Sequence, residues 1–319
     1  MDFVTLGRTG LRVSVIGLGC GGPSRLGMAT GKSEAESVAV VRKALDLGVN
    51  FIDTAHAYGT EPIVGKALAG VNRDDVILST KKNVSRDNVR VSGTDMVTGV
   101  EESLQRLGVD YLDIFHLHGV RFEDYEYAAT EIVPQLQRLR QDGKIRWLGI
   151  TENFSAETRH EMLIRALQDD FFDVMMVGFN MLNHSARNAV FPQTIAKNIG
   201  VLIMFAVRRT LSNPDQLRTT MQELVADGLV DAEAFDADDP LGFLTDRRAS
   251  VEGQVAESLT EAAYRYCRYE PGAHVVLSGT GSVQHLAENA EALSQPPLPP
   301  AHVARVNDLF ARVDTVSGN

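Results

Sequence analysis

Cysteine is scarce in this sequence, because Cys20 and Cys267 are the only two among 319 residues. Two cysteines are too few for a disulfide framework or for a zinc site built from several thiolates. Cys20 follows an apolar run and Cys267 lies in a predicted helix, so both are expected to be buried free thiols. We therefore predict neither a disulfide nor a metal centre.

Long hydrophobic runs are missing as well. The chain has no uninterrupted apolar stretch of about 18 residues, the length typical of a membrane-spanning helix. Residues 1–5 do not begin a charged segment followed by an apolar one, as a secretory signal would. We predict a cytoplasmic protein with no membrane partner.

Positive charge is in deficit. The chain has 31 Lys and Arg against 42 Asp and Glu, which gives a net charge of −11. Such a surface repels polyanions, so we predict no nucleic acid partner and no general attraction to anionic lipid. A local basic pocket remains compatible with this charge.

What the sequence does contain is a regular alternation of two patterns. Short apolar, β-prone runs are typical of buried parallel strands. They occur at residues 14–19, 50–54, 76–81, 111–118, 145–151, 174–180, 201–206 and 274–278. Stretches with helical spacing of apolar residues follow them. These lie at residues 33–47, 61–69, 94–107, 126–142, 156–168, 186–198, 252–269 and 282–293.

Eight strands that alternate with helices require right-handed parallel crossovers. At this length they favour an α/β fold of the closed (β/α)8 TIM-barrel type over an open sheet. We predict one such domain over residues 1–319, with an N-terminal β-hairpin at 3–13 and an extra C-terminal helix near 302–313. Residues 208–251 resemble neither strand nor obvious helix. They are either a long loop at the mouth of the barrel or a solvated insertion without chemistry.

Four reactive side chains fall at three consecutive strand ends. Asp53 ends the second strand, Lys81 the third and His118 the fourth, while Tyr58 lies on the loop after the second. The carboxyl ends of barrel strands share one face, and neighbouring strands are about 4.8 Å apart. Each residue alone has a structural explanation, such as a loop cap or a solvated lysine. Their coincidence at neighbouring strand ends predicts an active site.

The predicted cluster suits proton transfer at an oxygen atom. A phenol with its ordinary pKa of about 10 is a poor acid, and a nearby cation lowers that pKa by favouring phenolate. Asp53 would keep Lys81 charged, and His118 would hydrogen-bond a substrate oxygen. The cluster is therefore a general acid/base for a carbonyl or an alcohol, and a hydride-carrying cofactor would complete it.

These residues lie in motifs that resemble those of the aldo-keto reductase family. The similar segments are Asp53-Thr54-Ala55-x-x-Tyr58-Gly59, Ser79-Thr80-Lys81, Asp110-Tyr111-Leu112-Asp113-x-x-x-Leu117-His118, residues 6–14 and residues 143–151. The resemblance implies a nicotinamide-dependent carbonyl reductase or alcohol dehydrogenase. It gives Tyr58 the role of proton donor, which Lys81 and Asp53 tune, and it gives His118 the role of orienting the carbonyl.

Two neighbours leave that assignment with alternatives, since Lys82 adjoins Lys81 and His116 precedes His118 by two residues. The Thr-Lys and Leu-His pairings favour Lys81 and His118.

The resemblance also implies cofactor contacts. Thr151 stands where the family holds the nicotinamide carboxamide with Ser, while Glu152 replaces the commoner Asn and Met176 a common Gln. Arg208, together with Arg209, would contact a phosphate or lie in solvent. The implied contacts of the adenosine phosphate are Gly279, Thr280, Gly281, His285, Glu288 and Asn289.

The resemblance implies that the cofactor is NADP or NAD. NADP-preferring relatives often carry Lys or Arg where this chain has Gly279, Gly281 and His285, and such cations normally clamp a 2′-phosphate. These positions therefore argue against a preference for NADP and add NAD as an expected cofactor.

The expected partner is a small carbonyl, alcohol or sugar. Gly119 follows the predicted catalytic histidine where many family members have a large aromatic residue, and the roomier pocket favours sugars, lactols or polyols. Two alternatives stay open. One is a regulatory subunit on the same scaffold, and the other is an isomerase or lyase that uses Lys81 as a Schiff-base amine.

Overall fold

The structure, a computed structural model, describes residues 1–87, 89–248 and 252–319. Its strands are β1 (Phe3–Thr5), β2 (Arg12–Ser14), β3 (Ile16–Gly19), β4 (Phe51–Asp53), β5 (Ile77–Asn83), β6 (Ser85–Arg86), β7 (Val89–Arg90), β8 (Leu112–Val120), β9 (Ile145–Glu152), β10 (Val174–Gly178), β11 (Gly200–Met204) and β12 (Val275–Ser278). Eight of them, β3, β4, β5 and β8 to β12, form a closed barrel in that order. Every pairing within it is parallel, and β12 pairs with β3 to close the ring. The predicted TIM barrel is confirmed.

Helices surround the barrel. They are α1 (Glu34–Asp46), α2 (Glu61–Leu68), α3 (Gly93–Leu107), α4 (Phe122–Tyr127), α5 (Val133–Gln141), α6 (Glu161–Ala166), α7 (Ala186–Ala189), α8 (Phe191–Ala196), α9 (Arg209–Ser212), α10 (Pro214–Ala226), α11 (Leu259–Arg268), α12 (Val283–Ser294) and α13 (Pro300–Leu309). Within the described ranges, none of these helices is both long and apolar enough to cross a lipid bilayer.

The predicted hairpin is present and closes one end of the barrel. Strands β1 and β2 pair antiparallel, and residues between and within them reach the barrel interior. Leu6 and Val13 are fully buried and pack with Phe51, Ile114 and Leu202, which project inward from three barrel strands. The hairpin therefore plugs the amino-terminal end, and the carboxyl ends of the strands remain available for a site.

The interpretation of residues 208–251 as lacking helices is wrong. Helix α10 begins after Asn213, whose side chain accepts hydrogen bonds from the next turn, and Pro214 occupies the first turn. Leu217, Met221 and Leu224 recur at helical spacing and are buried. Residues 249–251 lie outside the described part of the chain. The start of this segment, at Arg208 and α9, does lie at the mouth of the barrel.

Three predicted helices are shorter than their patterns. The helix expected at 156–168 is reduced to α6, because the Asn153 carbonyl captures the amides of residues 156 and 157 in a turn. The one expected at 186–198 divides into α7 and α8 at Val190, just before Pro192. The one expected at 252–269 begins only at Leu259. The helix expected at 126–142 instead starts early, at Phe122, and includes a π-helical turn at Ala128–Ile132.

Arg265 joins α11 to two extended segments and generates a stability prediction. Its side chain is fully buried. It donates to the Glu261 carboxylate at 2.8 Å and to the carbonyls of Gln254 at 2.7 Å, Pro296 at 2.7 Å and Pro297 at 2.9 Å. Arg265→Met leaves these acceptors unpaired, so we expect the free energy of unfolding to fall by about 3–5 kcal/mol, measured by urea titration.

The matched control is Arg248→Met, at an exposed arginine whose ion-pair partner among the described residues is Asp246. It should leave the urea midpoint unchanged. Equal midpoints for Arg265→Met and the wild type would contradict the structural role of Arg265.

Candidate active site

The four predicted catalytic side chains meet at the carboxyl end of the barrel. Asp53 is the last residue of β4, Lys81 lies in β5 and His118 near the end of β8. Tyr58 ends a single 3-10 turn, His56–Tyr58, directly after β4. Side chains alternate along a strand, so the inward positions of neighbouring parallel strands converge on one point.

A buried ion pair forms the base of the site. Lys81 Nζ donates to Asp53 Oδ2 at 2.5 Å and to the Thr54 carbonyl at 2.9 Å. Ser79 Oγ donates to the other carboxylate oxygen of Asp53 at 2.9 Å. The lysine side chain is only 1% exposed. Burial opposes its charge, but Asp53 and then Tyr58 outweigh burial and raise the pKa of Lys81.

Tyr58 lies between the ammonium and the imidazole. Lys81 Nζ is 5.1 Å from the centre of its ring, and the Tyr58 hydroxyl is 3.4 Å from His118 Nε2. Burial raises the pKa of Tyr58, and the opposing effect of Lys81 is smaller. The expected lowering of this pKa is therefore wrong as a net result, although Lys81 acts in the predicted direction. The phenol is protonated at neutral pH.

His118 is neutral at physiological pH. Burial and then the nearby charge of Lys81 lower its pKa to about 3. Its Nδ1 is buried and has no hydrogen-bond partner among the described residues. A neutral imidazole carries one N–H group, so His118 is suited to donating a hydrogen bond to an oxygen beside Tyr58.

The structure also separates the two alternative residues from the cluster. Lys82 points away from the barrel interior, and its Nζ donates to the Asp95 carbonyl at 2.8 Å. His116 is fully buried one layer below His118, against Gly149, and lines neither cavity described below. Lys81 and His118 are thus the members of each pair that face Tyr58.

A cavity of about 500 Å³ opens above Tyr58 and His118. Thr151 and Met176, the two residues predicted to contact a nicotinamide, line this cavity. The Gly119 amide donates to Thr151 Oγ1 at 2.7 Å, which leaves the threonine hydroxyl hydrogen free for a ligand. Gly21 also lines this cavity and lies so close to the Tyr58 ring that a Cβ atom there would be 2.4 Å from Tyr58 Cε2.

Glu152 lines the same cavity, but its carboxylate has other partners. His160 Nδ1 is 2.9 Å from one oxygen, and the Gly178 amide donates to the other at 2.7 Å. The next residue, Asn153, also lines the cavity and was not predicted from the sequence. The sequence did contain a feature that could have indicated Asn153, because this amide side chain directly follows the end of the strand that carries Thr151.

A second cavity of about 830 Å³ continues from the first, because the two share Val207, Ser212 and Gly279. The predicted adenosine contacts Thr280, His285, Glu288 and Asn289 line it.

Gly281 does not line this second cavity. It packs against Gly27, and its carbonyl accepts from Lys32 Nζ at 2.6 Å.

Arg208 stands beside the junction of the two cavities. Its guanidinium carbon lies 3.7 Å above the centre of the Phe205 ring, and the side chain lines the first cavity together with Arg209. Neither arginine forms a salt bridge with another described residue. The pair is therefore available to an anionic group in the cleft.

Two further residues support the cluster without having been predicted. Ser79 binds Asp53, and Asn83 donates from Nδ2 to the His118 carbonyl at 3.3 Å. The positions of both residues follow from the alternation of side chains in β5, because residues 79 and 83 lie on the same face of the strand as Lys81.

Comparison with known proteins agrees with this geometry. A family model for the Aldo/keto reductase family matches residues 15–311. Over 157 residues the chain is 41% identical to L-galactose dehydrogenase of Arabidopsis thaliana, a match that covers 47% of this chain and 48% of that protein. It is 38% identical over 222 residues to aldo-keto reductase YhdN of Bacillus subtilis (strain 168), covering 66% and 63% respectively.

A solved structure covers the whole fold. The holo form of aldo-keto reductase AKR11C1 from Bacillus halodurans superposes with a TM-score of 0.71 at 25% sequence identity, over 99% of both chains. The family model, which spans nearly the whole barrel, decides the assignment: this chain belongs to the aldo/keto reductase family, whose members are NAD(P)-dependent oxidoreductases.

Proposed function

We propose that this protein interconverts carbonyl compounds and alcohols, with Tyr58 as the general acid/base. The observation that carries the proposal is the buried Lys81–Asp53 pair, which lies beneath Tyr58 at the floor of an elongated cleft. The ammonium is held charged by Asp53, so it opposes a Schiff-base role that would need a neutral amine.

In the reductive direction the Tyr58 hydroxyl donates its proton to the carbonyl oxygen. Lys81 stabilises the phenolate that forms, because its charge lies 5.1 Å from the ring centre. Neutral His118 donates a hydrogen bond to the same oxygen and orients it beside the Tyr58 hydroxyl. A bound nicotinamide supplies the hydride in this direction.

The continuous pair of cavities fits a dinucleotide. Thr151, Asn153 and Met176 would hold the nicotinamide end beside Tyr58. Arg208, Ser212 and Gly279 lie at the junction, where a pyrophosphate would meet cations and backbone amides. Thr280, His285, Glu288 and Asn289 would surround the adenosine.

The adenosine end favours NAD over NADP. Its described lining includes four glutamates, at positions 257, 261, 288 and 291, and neither Lys nor Arg. Glu257 and Glu261 pair with Arg247 and Arg265, so Glu288 and Glu291 carry the argument. A 2′-phosphate would lack a cationic clamp in this lining and would meet these two carboxylates, whereas a ribose 2′-hydroxyl can donate to a carboxylate.

The substrate end favours polyhydroxylated compounds. Gly119 contributes no side chain above His118, and a Cβ atom there would meet only Asn83 Nδ2, at 3.8 Å. Asn83, Asn153 and Ser155 add polar groups to the wall of the first cavity. A sugar, lactol or polyol fits this lining, in keeping with the similarity to L-galactose dehydrogenase.

The acid/base role predicts that Tyr58→Phe lowers kcat by about 10²–10⁴-fold, because the phenyl ring keeps its shape but has no proton to transfer. Cofactor affinity should be unchanged. Turnover of an aldehyde, ketone and sugar panel and calorimetric titration with NADH measure the two quantities. Near-wild-type turnover by Tyr58→Phe would refute the role. A wild-type protein that binds NADH but turns over no substrate would favour a regulatory subunit.

The close packing of Gly21 gives a second prediction. Gly21→Ala places a methyl group on the Tyr58 ring and displaces the hydroxyl from His118. A shift of about 1 Å in a catalytic group is expected to lower kcat by about 10²-fold. Circular dichroism and thermal unfolding establish that the variant is folded. Unchanged kcat in a folded variant would show that the position of Tyr58 is not set by Gly21.

The acidic adenosine cavity predicts that NADH binds at least about tenfold more tightly than NADPH, a difference of about 1.4 kcal/mol. His285→Arg adds a cation to that cavity. It should therefore strengthen NADPH binding, with little change for NADH, and reduce the difference between the two affinities. Calorimetric Kd values for both cofactors test this. Tighter binding of NADPH by the wild type would contradict the assignment of NAD.

A further inference from the structure

An ion pair lies fully inside the protein behind the first cavity. The side chains of Glu152, at the end of β9, and His160, just before α6, are both 0% exposed. His160 Nδ1 lies 2.9 and 3.1 Å from the two carboxylate oxygens of Glu152. To direct its ring inward, His160 adopts a left-handed backbone conformation with φ of 65°. A non-glycine residue in that conformation at an element boundary indicates a constrained position.

The protons of this pair can be counted from its neighbours. Ser185 Oγ donates to Asn183 Oδ1 at 2.6 Å, and the amide nitrogen of Asn183 faces two backbone carbonyls, which fixes its orientation. Ser185 has only one hydroxyl hydrogen, so His160 Nε2 must donate to it across 3.0 Å. His160 therefore presents an N–H at Nε2 and shares a proton with Glu152 at Nδ1. Burial opposes the imidazolium, but Glu152 outweighs it and raises the pKa of His160.

The pair also completes the junction of two barrel strands. Ladder pairing between β9 and β10 extends to Thr151 and Met176. Two residues beyond Met176, the Gly178 amide donates to Glu152 at 2.7 Å, so the carboxylate continues the pairing after the ladder ends. Thr151 in β9 and Met176 in β10 both line the first cavity.

Phe154 connects the Glu152–His160 pair to the lining of the first cavity. Its ring stacks on His160, with centroids 5.4 Å apart and planes 14° from parallel, and it lines the first cavity. The Phe154 ring also packs closely against Gly178, where a Cβ atom would lie 2.1 Å from the ring. Loss of the pair would release both Phe154 and the strand junction.

We propose that Glu152 and His160 are positioning residues for the nicotinamide end of the cofactor, acting through the β9–β10 junction and Phe154 rather than by direct contact. The inference rests on the proposed binding of a nicotinamide dinucleotide in this cleft. The proposed positioning depends on the geometry of the hydrogen bonds to Glu152. We therefore expect an uncharged group of the same shape to substitute for the carboxylate.

Glu152→Gln is that replacement. Its amide oxygen can accept from Gly178, its amide nitrogen can donate to Nδ1 of a neutral His160, and Nε2 still donates to Ser185. Glu152→Ala removes these bonds. Calorimetric titration with NADH and with ADP-ribose, which lacks the nicotinamide, separates a local effect from a general one. We expect Glu152→Ala to weaken NADH binding about tenfold, with ADP-ribose within about twofold of wild type. Glu152→Gln should bind both within about threefold.

Glu270→Ala is the matched control. It breaks another buried ion pair, to Arg187, outside the residues that line the cleft. It should lower thermal stability without changing either affinity. If Glu152→Ala does not fold, Ser185→Ala supplies the test, with an expected loss of about threefold for NADH alone.

Three results would overturn the inference. The first is unchanged NADH affinity in folded Glu152→Ala or Ser185→Ala. The second is an equal loss for NADH and ADP-ribose, which would indicate a general structural effect. The third is a Glu152→Gln variant as weak as Glu152→Ala. Failure of the wild-type protein to bind either NADH or NADPH would instead remove the proposed function itself, and this inference with it.

Discussion

The buried contact between Lys81 and Asp53 is the constraint on which the candidate active site depends. Two opposite charges taken out of water are stable only if each is closely paired and their other hydrogen bonds are made. The Thr54 carbonyl and Ser79 meet that requirement. Because Asp53 and Lys81 come from adjacent strands, the closed barrel fixes the distance between them. The position of the ammonium under Tyr58 is thus a consequence of the fold.

The same logic of support from behind recurs around the cleft. Tyr58 packs against Gly21, and Phe154, which lines the first cavity, stacks on His160. In each case a group that faces the cleft is held in place by close packing against a neighbouring residue. The cleft itself owes its length to the segments after β11 and β12, which bring Val207, Ser212 and Gly279 between its two parts. A barrel with these strand ends presents one chemical end and one long binding groove.

The candidate catalytic cluster could be predicted from the sequence because strand-end position and the period of two are local properties. Asp53, Lys81 and His118 needed only a correct strand assignment. The direction of the Glu152 side chain could not be predicted from the sequence. It depends on the left-handed conformation of His160 and on Ser185, which lies 33 positions beyond Glu152 in the printed sequence. The net rise in the pKa of Tyr58 also depends on burial, which no motif reveals. Helix α10 was missed although Asn213 and Pro214 mark its start. The extent of one domain over residues 1–319 stays a prediction.

Single-turnover hydride transfer tests the central claim most directly. The double variant Asp53→Asn with Lys81→Met replaces the buried ion pair by neutral groups of similar size and so avoids an unpaired buried charge. With NADH bound and an aldehyde added, the account predicts that transfer slows by about 10²–10⁴-fold relative to the wild type, while the Kd of NADH stays the same. Transfer at the wild-type rate by the folded double variant would contradict it.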